Sequence, residues 1–158
     1  MGLVLLVPMW ACLMGQGCPG AADVGGGTGD PYGSWSAGLT IRTVATQNPW
    51  NEGTGSIEEW TFVQENGQTT LNIVSGSTAG VAYGTLTTTD GGFQYQGECS
   101  TFDGLGIHMV ITIDATFAGA NSIEGTKRTD FYSVSAVWLG VQPQLIGFES
   151  ATFGADRI

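Results

Sequence analysis

From Pro31 onward apolar and polar residues alternate with a period close to two, a rhythm that restricts the chain to half-buried antiparallel strands. The run Ile107 to Phe117 is the plainest. Ile107, Met109, Ile111, Ile113, Ala115 and Phe117 share one side, with His108, Thr112, Asp114 and Thr116 on the other. A strand of this kind buries one face and wets the other. Ser34 to Ala45 repeats the pattern, Trp35, Ala37, Leu39 and Ile41 standing opposite Ser36, Thr40 and Arg42. Further strands are expected over Ile57–Glu65, Thr69–Ser75, Val81–Thr88, Phe93–Cys99, Asn121–Tyr132 and Leu145–Arg157. In the fourth of these, Phe93, Tyr95 and Cys99 oppose Gln94, Gln96 and Glu98. Asn66-Gly67, Ser75-Gly76 and Asp90-Gly91-Gly92 supply the positive φ angles that tight hairpins demand. The stretch 133–140, SVSAVWLG, fits a short helix or a surface loop.

About eight short strands joined by hairpins imply an all-β, up-and-down meander. It closes into a barrel or stacks as a sandwich. Closure is the expectation, because it removes the unpaired edges a meander leaves. At eight strands the interior is filled by side chains or holds one small ligand. Closure also places the start of the first strand beside the end of the last, so Trp35 meets Arg157. A guanidinium over an indole is worth roughly 0.5 to 2 kcal/mol. A membrane-spanning barrel of the same strand number, with its apolar face outward, is a less favoured option.

The net charge limits the partners. Lys+Arg number 4 against 14 Asp+Glu, a net charge of −10, and Lys127-Arg128 is the sole adjacent pair of cations. Nucleic-acid binding is therefore not expected. With 42% hydrophobic and 11% charged residues the chain can bury a core, which disfavours disorder.

Leu3 to Met14 is an apolar run broken by Pro8, shorter than the roughly 20 residues a spanning helix needs. It fits the core of a secretory signal, although no Lys or Arg precedes it and the first cation is Arg42. The run leads into Gly17-Cys18 and then AADVGGGTGD, and here the chain resembles a bacterial lipoprotein. The resemblance implies residues 1–17 as signal, an acylated Cys18, residues 18–31 as a Gly-rich tether and residues 32–158 as the barrel domain. It also implies membrane attachment through the N-terminal lipid alone, in the cell envelope, on the periplasmic or surface face of the outer membrane. Cys12 is an alternative acylation site, and plain secretion is the alternative fate. Three cysteines cannot all pair within one chain. Cys99 is then a small buried hydrophobe, or the partner of Cys18 in a disulfide if Cys18 is not acylated.

Three short motifs resemble the lipocalins, among the calycin barrels. Gly33-Ser34-Trp35 matches their Gly-x-Trp on the first strand, and Thr129-Asp130-Phe131 matches their Thr-Asp-Tyr with Phe for Tyr. Arg157 matches the arginine of their last strand, which lies over that tryptophan. The resemblance runs from Tyr32 to the end, implies an eight-stranded ligand-binding barrel, and extends to Thr/Gly-rich bacterial lipoproteins of uncharacterised function.

Chemistry has few candidates. His108 is the single histidine, and the nearest carboxylate on its face, Asp114, is roughly 20 Å along the strand at about 3.3 Å per residue. They cannot form a catalytic dyad there, though a partner from another strand could, and a solvated surface histidine is the plainer reading. Glu58 and Glu59 point to opposite faces, and no zinc-type Cys/His spacing or calcium loop occurs. Gly25 to Gly29 reads as tether because no Lys follows it. No catalytic residue, metal or cofactor is therefore expected. Trp35, Leu39, Ile41, Phe93, Tyr95, Met109, Ile111 and Ile113 form an apolar inward set that either lines a cavity or fills a core. Trp50 and Trp138 sit in loops, as barrel caps or as stacking surfaces. The expected function is an exported barrel that binds a small hydrophobic ligand; the alternative is a surface structural or protein-interaction module.

Overall fold

The computed structural model describes residues 29–44, 55–76, 78–102, 107–133 and 142–158. Cys12, Cys18, Trp50, Trp138 and most of the stretch 133–140 lie outside the described residues.

Eight strands follow one another: β1 (Gly33–Val44), β2 (Gly55–Glu65), β3 (Gln68–Ile73), β4 (Gly80–Thr89), β5 (Gly92–Phe102), β6 (Ile107–Phe117), β7 (Ser122–Ser133) and β8 (Gln144–Arg157). Each pairs antiparallel with the next, and β8 returns to pair with β1, so the sheet is a closed barrel. The all-β class and the closure expected from the alternation are both present, and no sandwich forms. Asn66 (φ 52°) and Gly67 (φ 81°) occupy the left-handed region together, the geometry that lets a two-residue turn follow the twist of β2 and β3. Between β4 and β5 Gly91 (φ 85°) is the turn residue in that region, with neither Asp90 nor Gly92 beside it there.

Side-chain alternation sorts the barrel into two surfaces. Inward lie Trp35, Ala37, Leu39 and Ile41 of β1, Trp60 and Phe62 of β2, Phe93, Tyr95 and Cys99 of β5, and the odd-numbered residues of β6 from Met109 on, all buried. Outward, Glu59, Asn72, Thr85, Thr87, Gln94, Gln96, Thr112, Asp114, Thr126 and Arg128 are exposed. Ile57, Val63, Val81, Tyr83, Leu145 and Ile146 are exposed on the same outer surface.

Aromatic rings fill much of the interior. Trp60 meets Phe153 edge-on at 4.8 Å, and Phe62 meets both Phe93 and Tyr95 at 5.5 Å, the arrangement ring quadrupoles favour. Room for Tyr95 comes from Gly97, where a Cβ would fall 2.1 Å from the tyrosine hydroxyl. That hydroxyl donates to the carbonyl of Ala82 at 3.0 Å, so a buried polar atom is satisfied. Burial pushes the Tyr95 phenol well above its ordinary range.

Candidate functional site

The seam between β1 and β8 is a sequence-derived site with a defined geometry. Trp35 and Arg157 are register partners, and the guanidinium carbon lies 4.7 Å from the indole centroid. Trp35 Nε1 donates to the carbonyl of Pro31 at 3.0 Å, and Arg157 Nη2 donates to the carbonyl of Asp30. The segment before β1 is thereby fastened across the end of the barrel. Arg157 Nε is buried without a hydrogen-bond partner, a residual cost of laying the guanidinium on a ring.

The eight apolar residues read as an inward set share one packed core with the aromatic pairs. Trp35, Phe93, Met109, Ile111 and Ile113 are 0% exposed, so nothing the size of water touches them. His108 is half-buried on the outer side of β6, its Nε2 3.5 Å from Glu98 of β5. An exposed pair of this kind is worth about 0–1 kcal/mol. Asp114 is exposed farther along the same strand, beside Gln94. Among the described residues no three His, Cys, Asp or Glu side chains converge as a metal site.

What the sequence reading missed lies inside the barrel. Alternation on β2 that turns Trp60 inward also turns Glu58 inward, and alternation on β7 carries Lys127 inward between Ile123 and Thr129. Both charged side chains are 2% exposed. Lys127 Nζ donates to Glu58 Oε2 at 2.6 Å and to the Thr78 hydroxyl at 2.6 Å. Trp60 Nε1 donates to the same Glu58 oxygen at 2.6 Å. The Thr78 hydroxyl donates to the other carboxylate oxygen, Oε1, at 3.2 Å. Short contacts to an ionised acceptor are the strong kind of hydrogen bond. Lys127 also stands 5.8 Å from the Trp60 ring centroid.

Thr78 belongs to no strand. It arrives from the connection between β3 and β4, where Gly76 (φ 98°) lies so close to the carboxylate that a Cβ would sit 2.7 Å from Glu58 Oε1. A second acid, Glu149 of β8, is also buried. Burial raises its carboxyl above the ordinary range, with Lys127 pulling the other way. Burial lowers the Lys127 ammonium, and the charge of Glu58 opposes that. The inward parity of Lys127 was readable in the sequence; its partner was not, because Glu58 is 69 residues away.

Fold and site together define a closed eight-stranded antiparallel β-barrel with an apolar interior that holds a buried ion-pair cluster, an architecture compatible with a lipocalin-like fold. No protein-family model, no curated protein and no solved structure matches the chain.

Proposed function

We propose that this chain is an exported, lipoprotein-like barrel that takes up a small, largely apolar molecule at the end where the β3–β4 connection sits. The observation that carries this reading is the Lys127–Glu58–Thr78–Trp60 cluster inside an apolar wall. Removing two charges from water costs several kcal/mol per ion, and well-packed hydrocarbon would serve stability as well or better. Ligand sites, by contrast, are mostly apolar surfaces with a few convergent polar groups. Export and envelope attachment rest on the Leu3–Met14 run and on Gly17-Cys18. Mass spectrometry of the mature protein tests them, an acylated Cys18 being the expected product.

A hydrophobic fluorophore titrated into the purified barrel tests uptake. Saturable quenching of tryptophan emission, lost in a Trp60→Phe variant, is expected. Absence of quenching across several probes would instead favour a filled-core interaction module. That second reading draws on the 0% exposure of Trp35, Phe93, Met109, Ile111 and Ile113. Its contact surface would then be on the outside, where Ile57, Val74 and Tyr83 are exposed.

A further inference from the structure

We infer that the outer face of β4, β5 and β6 binds a neutral oligosaccharide, with Tyr83 as the ring on which a sugar stacks and Gln94, Gln96 and Asp114 as the groups that meet its hydroxyls. This site is on the outside of the barrel and is independent of uptake into the interior.

Alternation turns Tyr83, Thr85 and Thr87 of β4 outward, and the register sets them opposite Glu98, Gln96 and Gln94 of β5 in turn. Strand β6 extends two of these rows, with Thr112 beside Gln96 and Asp114 beside Gln94. Opposed side chains on such a face stand about 4.5–5.5 Å apart, and successive rows about 6.6 Å apart. The face is dished: two adjoining hollows of about 360 Å³ and 230 Å³ share Thr85 and Gln96. The larger is at the lower end of the range of small-molecule sites. The floor of the smaller is bare backbone at Gly84 and Gly97, which are register partners. There β4 and β5 approach so closely that a Cβ on Gly84 would run into the Gln96 carbonyl.

The chemistry around the hollows selects the ligand. The Gln94 amide donates to Asp114 at 3.4 Å, a long contact, and the side chains of Thr85, Thr87, Gln96 and Thr112 have no hydrogen-bond partner among the described residues. Hydroxyls and amides both donate and accept, the complement of a molecule whose own hydroxyls do the same. An anion would meet Asp114 and Glu98 with little to balance them. Arg128, the register partner of Thr112 on β7, is held by both oxygens of Asp130 and stacked on Phe148 with its guanidinium carbon 4.2 Å from the ring centroid. A metal ion needs converging carboxylates, whereas Glu98 is opposite Val110, four residues and about 13 Å along β6 from Asp114. A hydrocarbon ligand would cover the threonine and glutamine groups without pairing them, which is costly. A neutral sugar meets every group: its C–H face lies on the Tyr83 ring, which is 54% exposed, and its hydroxyls donate to the Asp114 carboxylate and pair with the amides.

The test titrates the purified protein with cellotetraose, maltotetraose, mannotetraose and chitotetraose and follows backbone amide shifts by NMR. At least one is expected to bind saturably, moving the amides of residues 83–87, 94–98 and 110–114 and leaving those of β1 and β2 in place. Tetragalacturonate, an anionic chain of the same length, is expected to bind at least about tenfold more weakly than that tetrasaccharide. Tyr83→Ala and Asp114→Ala are each expected to weaken binding by about tenfold, the size of one stacked ring or one charge-assisted hydrogen bond, while Glu59→Ala on β2 leaves it unchanged. Exposed substitutions of this kind have small effects on stability, and a melt of each variant checks it. No shift with any of the four at about 10 mM overturns the inference, as do shifts confined to another part of the barrel. Tetragalacturonate binding as tightly as the neutral chains also overturns it, and so does an affinity that neither Tyr83→Ala nor Asp114→Ala moves. Should those variants fail to fold, the site of the shifts and the comparison of neutral with anionic chains on the wild type decide alone.

Discussion

Replacing Lys127 by Met keeps most of the side-chain volume and removes the ammonium, leaving Glu58 charged, buried and supported by Trp60 and Thr78 alone. Breaking a buried ion pair from one side costs about 3–5 kcal/mol, because the remaining charge has lost water and partner together. Against a total stability on the order of 5–15 kcal/mol, that is a large fraction. For a barrel of this size the melting temperature should fall by roughly 10–20 °C. The companion variant carries Glu58→Gln with Lys127→Met, so that the amide oxygen still accepts from Trp60 and the carboxylate charge of Glu58 is removed together with the ammonium. It should be more stable than Lys127→Met alone by at least about 1 kcal/mol, and a double-mutant cycle measures the coupling directly. The assay is urea unfolding followed by tryptophan emission and by circular dichroism. A single-variant loss below about 1 kcal/mol, or additive losses in the double variant, would refute the view that the pair is desolvated and coupled.

Other expectations follow from the same contacts. Burial holds the Glu149 carboxyl above its ordinary range, so the folded chain binds that proton more tightly than the unfolded one. The stability it contributes is present below the ordinary carboxyl range and lost as pH rises through the raised value. Urea midpoints should therefore rise as the pH is lowered from above the raised value toward the ordinary carboxyl range, and Glu149→Gln should flatten that slope. Arg157→Met removes the cation from the Trp35 face and the bond to Asp30; a loss of about 1–2 kcal/mol with an altered near-ultraviolet tryptophan signal is expected. An unchanged melting temperature would mean that the seam is held by backbone pairing alone. Gly97→Ala drives a methyl into the Tyr95 hydroxyl and should cost about 2–4 kcal/mol, combining overpacking with the lost bond to Ala82. Tyr95→Phe loses only that bond and should cost about 1 kcal/mol in the same melt.

Strand positions and facing were legible because they depend on neighbours in the chain. Ile107 to Phe117 alternates without exception on its apolar side, and β6 spans those same residues. Asn66-Gly67 names its own turn, since both residues tolerate positive φ, and the β2–β3 hairpin closes there. Closure was legible one step further on, from the cost of leaving two edges of a meander unpaired. Lys127 marks the limit. In the sequence it is half of the sole adjacent pair of cations, and the structure buries it and leaves Arg128 outside, paired with Asp130. Parity alone assigns opposite faces to the two. It says nothing about whether a charge can stay on the inner one.

That question is settled by what comes across the barrel to meet it, and Glu58 and Thr78 lie 69 and 49 residues from Lys127 along the chain. The alternating pattern, the turn residues and the need to bury edges determined a closed all-β barrel, because each is a local property or a consequence of strand number. The buried cluster and the inward reach of the β3–β4 connection were decided by tertiary structure. Their energies depend on register across the closed sheet, where a charge is tolerable only if a distant partner arrives within hydrogen-bond reach.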